Sequence, residues 1–411
     1  MLFPSSVIEL LCELVARPSV SPEGDAGGTP PGERVVADYV AGLLRALGGE
    51  VMVTDVRPGR PNVVARFPAR GGRGTRGVRD ERDGRSVRDE RDTRGARDVC
   101  DERDGRDAPV VALAPHLDTV GVAGMTIPPF APQVRDGRVY GRGACDTKGP
   151  MAAALWALAR WLRSPGAARS RVTWVFAATM GEEEMSTGAK ALCESGFRAD
   201  FAVALEPTDL RVVRAEKGVL RVWVESAGRA CHGATPGRGD NAIYRMLPFL
   251  HACRDGLAPM LEAARHPDLG GASLNLGVVR GGGELNIVPD ACRAGLDIRT
   301  HPGMPNDTVM EHVRAAAGAA GGLRVRMHRE GPPFALAADH PWVRRMAAHA
   351  RGVEVAPWFS DANVFNAHGT PAVAFGPGSI AQAHTGDEFI GVAALEEGAR
   401  VLEAFIRDVS E

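Results

Sequence analysis

VVALAPHLDTV, residues 110–120, joins five consecutive apolar residues to a turn that holds an imidazole and a carboxylate. A short run that is apolar on both faces suits a strand buried in a helix-covered sheet. His116 and Asp118 then fall just past the strand's carboxyl end, in the loops where open α/β sheets place their ligands. Two residues apart on extended backbone, they point the same way, so the carboxylate can reach the imidazole or its neighbourhood. The design recurs: the apolar run 172–178 leads into TMGEEEM, and 202–205 leads into the carboxylate of Glu206. Further strands are expected at 62–67 and 371–375.

Helical spacing of apolar residues predicts amphipathic helices over 5–16 and 33–47, and an apolar helix over 151–162. Near residue 215 the pattern shifts. Val219, Arg221, Trp223 and Glu225 alternate with apolar neighbours, a helix follows from Asn241, strands are expected near 273–279 and 294–298, and a helix around 307–317. The expected fold class is α/β, with a discontinuous domain of a mixed sheet flanked by helices (1–214 and 328–411). A smaller α+β domain (215–327) interrupts it. Within the first domain, residues 69–108 are low in complexity. Arg recurs every third residue from Arg70 to Arg97, and VRDERD starts at both Val78 and Val87. Twelve Arg against eleven acidic residues between 70 and 107, with almost nothing apolar, predict a disordered surface insertion. An RNA-binding arm or an ion-paired helix is the alternative.

Composition removes several function classes. With 411 residues, 44% of them apolar, the chain can bury a large core. Lys plus Arg (49) nearly balance Asp plus Glu (51), so no general positive field favours nucleic acid. Seven scattered cysteines with no CxxC indicate neither a disulfide frame nor a thiolate zinc site, and suit a reducing, cytoplasmic location. No apolar run of about 18 residues suggests a membrane span, and Glu9 and Glu13 interrupt the apolar N-terminal stretch, which is not read as a signal peptide.

The glycine-rich stretch YGRGACDTKG, residues 140–149, holds half of a dinucleotide fingerprint, but lacks the third glycine and carries Asp146 in the turn. A carboxylate there suits a cation better than a phosphate. Three successive carboxylates in GEEE (181–184) at the end of a buried strand would repel one another unless a metal relieved the repulsion. With QAHTGDEF (382–389), the set is two imidazoles and several carboxylates without thiolate, a donor set for zinc, cobalt or manganese.

In order, HLDTV, GRGACDTKGPMAAAL, GEEEMSTGA, EPT, CHGATPGRGDNAI, LNIVP, DIR and GPGSIAQAH resemble the M20 family of di-metal peptidases and deacylases, over almost the whole chain outside the Arg-rich insertion. The resemblance implies that Asp146 bridges two divalent ions, with His116 and Glu206 completing one site and Glu183 and His384 the other. It also implies Asp118 as the group orienting His116 and Glu182 as general base, which leaves Glu184 as an extra. It implies His232 as oxyanion donor, and Asn286 and Arg299 as substrate-holding residues. Two cations about 3.5 to 4 Å apart would supply a bridging hydroxide near neutral pH. The 215–327 domain would be a dimerisation or lid domain, making the protein a homodimer. GPGSIAQAH, HLDTV and DTKGP are most similar to the acetylornithine deacetylase and succinyl-diaminopimelate desuccinylase branch. The expected substrate is therefore a small N-acyl amino acid. A dipeptidase or carboxypeptidase, or a non-catalytic binding homologue, is the alternative.

Overall fold

The computed structural model describes residues 3–22, 32–70 and 108–411. Almost all of the Arg-rich insertion, together with Cys100, lies outside the described residues. The chain divides into two compact units: residues 1–212, 344–352 and 368–411 form the first, and 213–343 with 353–367 the second.

In the first unit six strands run in the order Glu50–Arg57, Arg60–Phe67, Thr173–Ala178, Val110–Ala114, Phe201–Ala204 and Ala372–Ala374. The last four are mutually parallel, and the first two are antiparallel to their neighbours. The sheet is therefore mixed, with its parallel part buried on both faces, which is why those strands carry continuous apolar runs. Glu50–Arg57 is the half-exposed edge and has no such run.

Helix Lys148–Leu162 is buried along nearly its whole length and packs against Val7–Val15 and Val392–Ser410. Val392–Ser410 is also tied to the sheet, where Trp174 Nε1 donates to Ser410 Oγ at 2.9 Å. Burying Trp161, Trp174, Phe176, Phe201 and Phe405 supplies much of the driving force, at about 1.5–3 kcal/mol per large apolar side chain.

The second unit is built on an antiparallel sheet in the order Ser273–Gly281, Ala291–Thr300, Gly218–Ala227 and Arg324–Gly331. Leu220, Val222 and Val224 alternate with the partly exposed Arg221, Trp223 and Glu225 and meet Ala294, Leu296 and Ile298 on one face. Phe249, Met246, Leu261 and Val313 from helices cover that face. Asn241 starts the first of these helices, its side chain accepting from the amides of Ile243 (2.9 Å) and Tyr244 (3.3 Å). The short strand Val212–Glu216 pairs with Phe334–Ala335 and with Val353–Ala356. Among the described residues, no helix is long and apolar enough to cross a membrane.

Candidate metal centre

The parallel strands end side by side, and their loops carry the acidic and imidazole groups. Past the strand ends, Leu117 N donates to Thr179 O (2.7 Å) and Thr179 N to Pro115 O (3.0 Å), which brings the His116 loop against the GEEE turn. Leu205 N donates to Ala114 O (2.9 Å) and Glu206 N to Phe375 O (3.3 Å), so Glu206 follows in the next loop. Asp146 precedes helix Lys148–Leu162, and His384 follows the single turn Ile380–Gln382 with φ of 62°.

These side chains converge. His116 Nε2 lies 3.0 Å from Asp146 Oδ1, and His384 Nε2 lies 3.3 Å from Asp146 Oδ2 and 3.1 Å from Glu183 Oε1. One ligand atom each from His116, Asp146 and Glu183 falls within 4.8 Å of the others. His116, Asp146 and Glu206 are buried, whereas the His384 side chain is half exposed and gives the centre an open side.

The proton arrangement follows from the partners. His116 Nδ1 sits 3.0 Å from the main-chain oxygen of Asp118, which can only accept, so Nδ1 carries a proton, and the neutral ring would turn an Nε2 lone pair to an ion in the centre. The Asp118 carboxylate is farther from that ring, at 3.5 Å. Its oxygens instead accept the amides of Glu182 (3.0 Å) and Glu183 (3.1 Å) and so hold the acidic turn.

The electrostatics call for a cation. Burial of His116 opposes protonation, yet the hydrogen bonds to Asp118 and Asp146 and the nearby charge of Glu206 outweigh it and raise the pKa well above the ordinary value. The hydrogen bonds to Asp146 and Glu183 raise His384 to about 10. Burial pushes Glu183 up. For Asp146 burial acts in the same direction, but hydrogen bonds from the two imidazoles hold it well below the usual carboxylate range. A divalent ion placed among these groups would take over the role that protonated imidazole plays here. An Asp with one imidazole on each oxygen is a donor arrangement that fits two ions.

The remaining candidates lie in the second unit. His232 and Asn286 sit on adjoining exposed loops: His232 bridges to Ile287, and Gly233 N donates to Asn286 O at 2.7 Å. A Cβ on Gly233 would stand 3.0 Å from the Asn286 main chain, so the two loops approach closely. Arg299, on the strand Ala291–Thr300, donates from Nε to Asp297 Oδ1 at 2.8 Å.

Sequence reasoning passed over Glu388. This fully buried carboxylate accepts from Arg142 Nη1 (2.7 Å) and Gly143 N (2.9 Å) on one oxygen, and from Cys145 N and Asp146 N (both 2.9 Å) on the other. The amides of the glycine-rich turn, reminiscent of a phosphate cradle, thus wrap a carboxylate of the chain itself and aim Asp146 at the imidazoles. Glu388 lay inside the 382–389 cluster, but nothing local separates it from Asp387. Glu184, left over by the motif register, turns away from the centre toward Arg57, Arg60 and Ser21.

Imidazoles and carboxylates gathered at the carboxyl ends of parallel strands, with an open side at His384, form a site suited to divalent ions, as a metal-dependent amidohydrolase requires. The chain belongs to peptidase family M20/M25/M40, whose pattern matches residues 112–408. It is 34% identical to acetylornithine deacetylase of Myxococcus xanthus over 306 residues, 71% of this chain and 78% of that one. It is 30% identical to acetylornithine deacetylase of Erwinia tasmaniensis over 404 residues, 95% and 94% of the two chains. Its fold is similar to that of the M20 family metallo-carboxypeptidase Sso-CP2 from Sulfolobus solfataricus, with a TM-score of 0.76, 17% identity, and 98% and 99% of the two chains covered.

Proposed function

We propose that this protein hydrolyses the amide of a small N-acyl amino acid of the acetylornithine or succinyl-diaminopimelate type. The observation that carries the proposal is the convergence of His116, Glu183 and His384 on both oxygens of Asp146 and its surroundings. In this reading His116, Glu206 and Asp146 hold one divalent ion, and Glu183, His384 and Asp146 the other. Zinc suits these ligands, as do cobalt and manganese. When bound, the ions lower the pKa of water and polarise the scissile carbonyl.

The chain's own residues do the rest. Glu182, its amide fixed by Asp118, takes the proton of the attacking water and passes it to the leaving amine. His232 Nδ1 accepts from Ala234 N at 3.0 Å, so its neutral ring keeps the proton on Nε2, a donor suited to an oxyanion. Asn286 and Arg299 hold the substrate. With Nε engaged by Asp297, Arg299 presents its outer nitrogens to a substrate carboxylate.

We assign residues 215–327 to a dimerisation or lid domain. Ser273–Gly281 is an edge strand bearing exposed Leu276 and Val279, and Tyr244 and Leu247 are exposed on a helix of the same unit. Such an edge suits a second copy of the chain. A cytoplasmic location belongs to this reading.

The test is turnover of N-acetylornithine, N-succinyl-diaminopimelate and a dipeptide panel after loading with zinc or cobalt. Cleavage of dipeptides alone would transfer the protein to the peptidases. Failure to take up a pair of ions would refute the metal reading.

A further inference from the structure

Strand Arg60–Phe67 opens with Arg60 and Asn62, which share a face because side chains alternate along a strand. Both grip the segment that carries the acidic turn. Asn62 Oδ1 accepts from Met180 N (2.9 Å), and Asn62 Nδ2 donates to Gly188 O (2.8 Å), so one side chain clasps the segment at both ends. Gly188 is required there, since a Cβ would stand 2.4 Å from Asn62 Oδ1 and from Met180 O.

Arg60 takes hold between those points. Its Nη1 donates to both oxygens of Glu184, at 2.9 and 2.8 Å. On its other edge Nε and Nη2 donate to the two oxygens of Glu33, at 2.8 and 2.5 Å. Ser21 and Arg57 also donate to Glu184. The side chains of Arg60, Glu33 and Glu184 are almost completely buried. Gly181, Met185 and Ser186 all have positive φ, so the turn adopts backbone that local preference does not favour and that its surroundings must impose.

We propose that Arg60 and Asn62 are positioning residues for the metal centre, forming a bracket that pulls Glu184 away from the centre and thereby presents Glu183 and Glu182 to it. The inference rests on the metal-centre reading above. A buried ion pair is weak evidence of stabilisation on its own account, but a planar guanidinium spanning two carboxylates fixes geometry, and here it fixes the residue next to Glu183. It also separates neighbouring carboxylates: Glu184 is matched by guanidinium groups, whereas Glu183 reaches His384.

The experiment is titration of the metal-free full-length chain with zinc against a chromophoric chelator, alongside melting temperature, kcat and KM. Glu184→Gln is the mild variant. Glu33→Gln/Arg60→Met/Glu184→Gln removes every charge of the pair of carboxylates and its shared cation, so it leaves no buried ion unpaired. In the folded variants one of the two ions is expected to bind about 10 to 100-fold more weakly, the range for lost groups that support a ligand. The other ion should stay bound, with kcat reduced and KM within about threefold of wild type. Asn62→Ala should act in the same direction. Arg60→Lys keeps the charge without the fork, and should restore the melting temperature more than the metal affinity. Either Glu184→Gln or the triple variant, folded and binding both ions with wild-type affinity and turnover, overturns the bracket. A wild-type chain that takes up no ion pair refutes the metal reading instead.

Discussion

Replacing Glu388 by Gln tests whether the loop bearing Asp146 is held from behind. Among the described residues the carboxylate meets four donors, two on each oxygen, and no acceptor, so only its ionised form satisfies them all. Glutamine has one oxygen. If that oxygen stays with Cys145 N and Asp146 N, the new amide group faces Arg142 and Gly143 N, setting donor against donor. Arg142, whose side chain is 3% exposed, then loses its carboxylate partner. Breaking a buried pair in this way costs about 3–5 kcal/mol. At about 2 cal/mol/K per residue, a chain of this length shifts by about 1 °C per kcal/mol, so the melting temperature should fall by about 5 °C. The opposite amide orientation keeps a hydrogen bond to Arg142, though not the charge, and frees the Asp146 amide, so metal affinity should suffer as well as stability. Thermal unfolding of the metal-free chain and zinc titration read the two effects separately. A melting temperature within about 2 °C of wild type, with both ions bound as before, would refute the reasoning.

Glu182→Gln should abolish turnover while metal content stays at two per chain; unchanged turnover removes it as the base. His232→Ala should lower kcat about 10² to 10³-fold, the usual loss for one oxyanion donor, with zinc binding unaltered. A loss confined to KM would point to substrate binding instead. Glu216 provides a pH test away from the metal centre. It is completely buried beside Ser360, whose hydroxyl donates to it at 2.9 and 3.1 Å, and burial pushes its pKa well above the carboxylate range. The folded state therefore keeps a proton that the unfolded chain releases above about pH 4.5. Stability should fall as pH rises from there toward the folded pKa, by up to about 1.4 kcal/mol per pH unit. Glu216→Gln should flatten that slope and gain on wild type in denaturant titrations between pH 5 and pH 8; parallel curves would exclude the effect.

The strands that carry the site could be read without coordinates because they are buried on both faces and so spell continuous apolar runs. Val110–Ala114 matches its expected bounds, and Thr173–Ala178 begins one residue later than expected. Glu50–Arg57, a half-exposed edge, leaves no such trace, and the strand expected from Asn62 begins two residues earlier, at Arg60, which carries the guanidinium of the bracket. Helices were legible where one face alone is apolar, as in Val7–Val15 and Arg34–Ala46.

Residue chemistry at strand ends, a local feature, was enough to mark the clusters around His116, Asp146, the carboxylates 182–184, Glu206 and His384, and the resemblance to the M20 family singled out the five expected ligands among them. The hands that hold them were not legible. Glu388 reaches the Asp146 amide from 242 positions away, and Arg60 reaches Glu184 from 124. A hydrogen bond between distant segments leaves no periodicity in either one. A run such as GEEE shows that three carboxylates are present but not which way each turns. That choice is made by the guanidinium groups, amides and imidazoles that the tertiary fold sets around them, because a buried charge settles where its partners are.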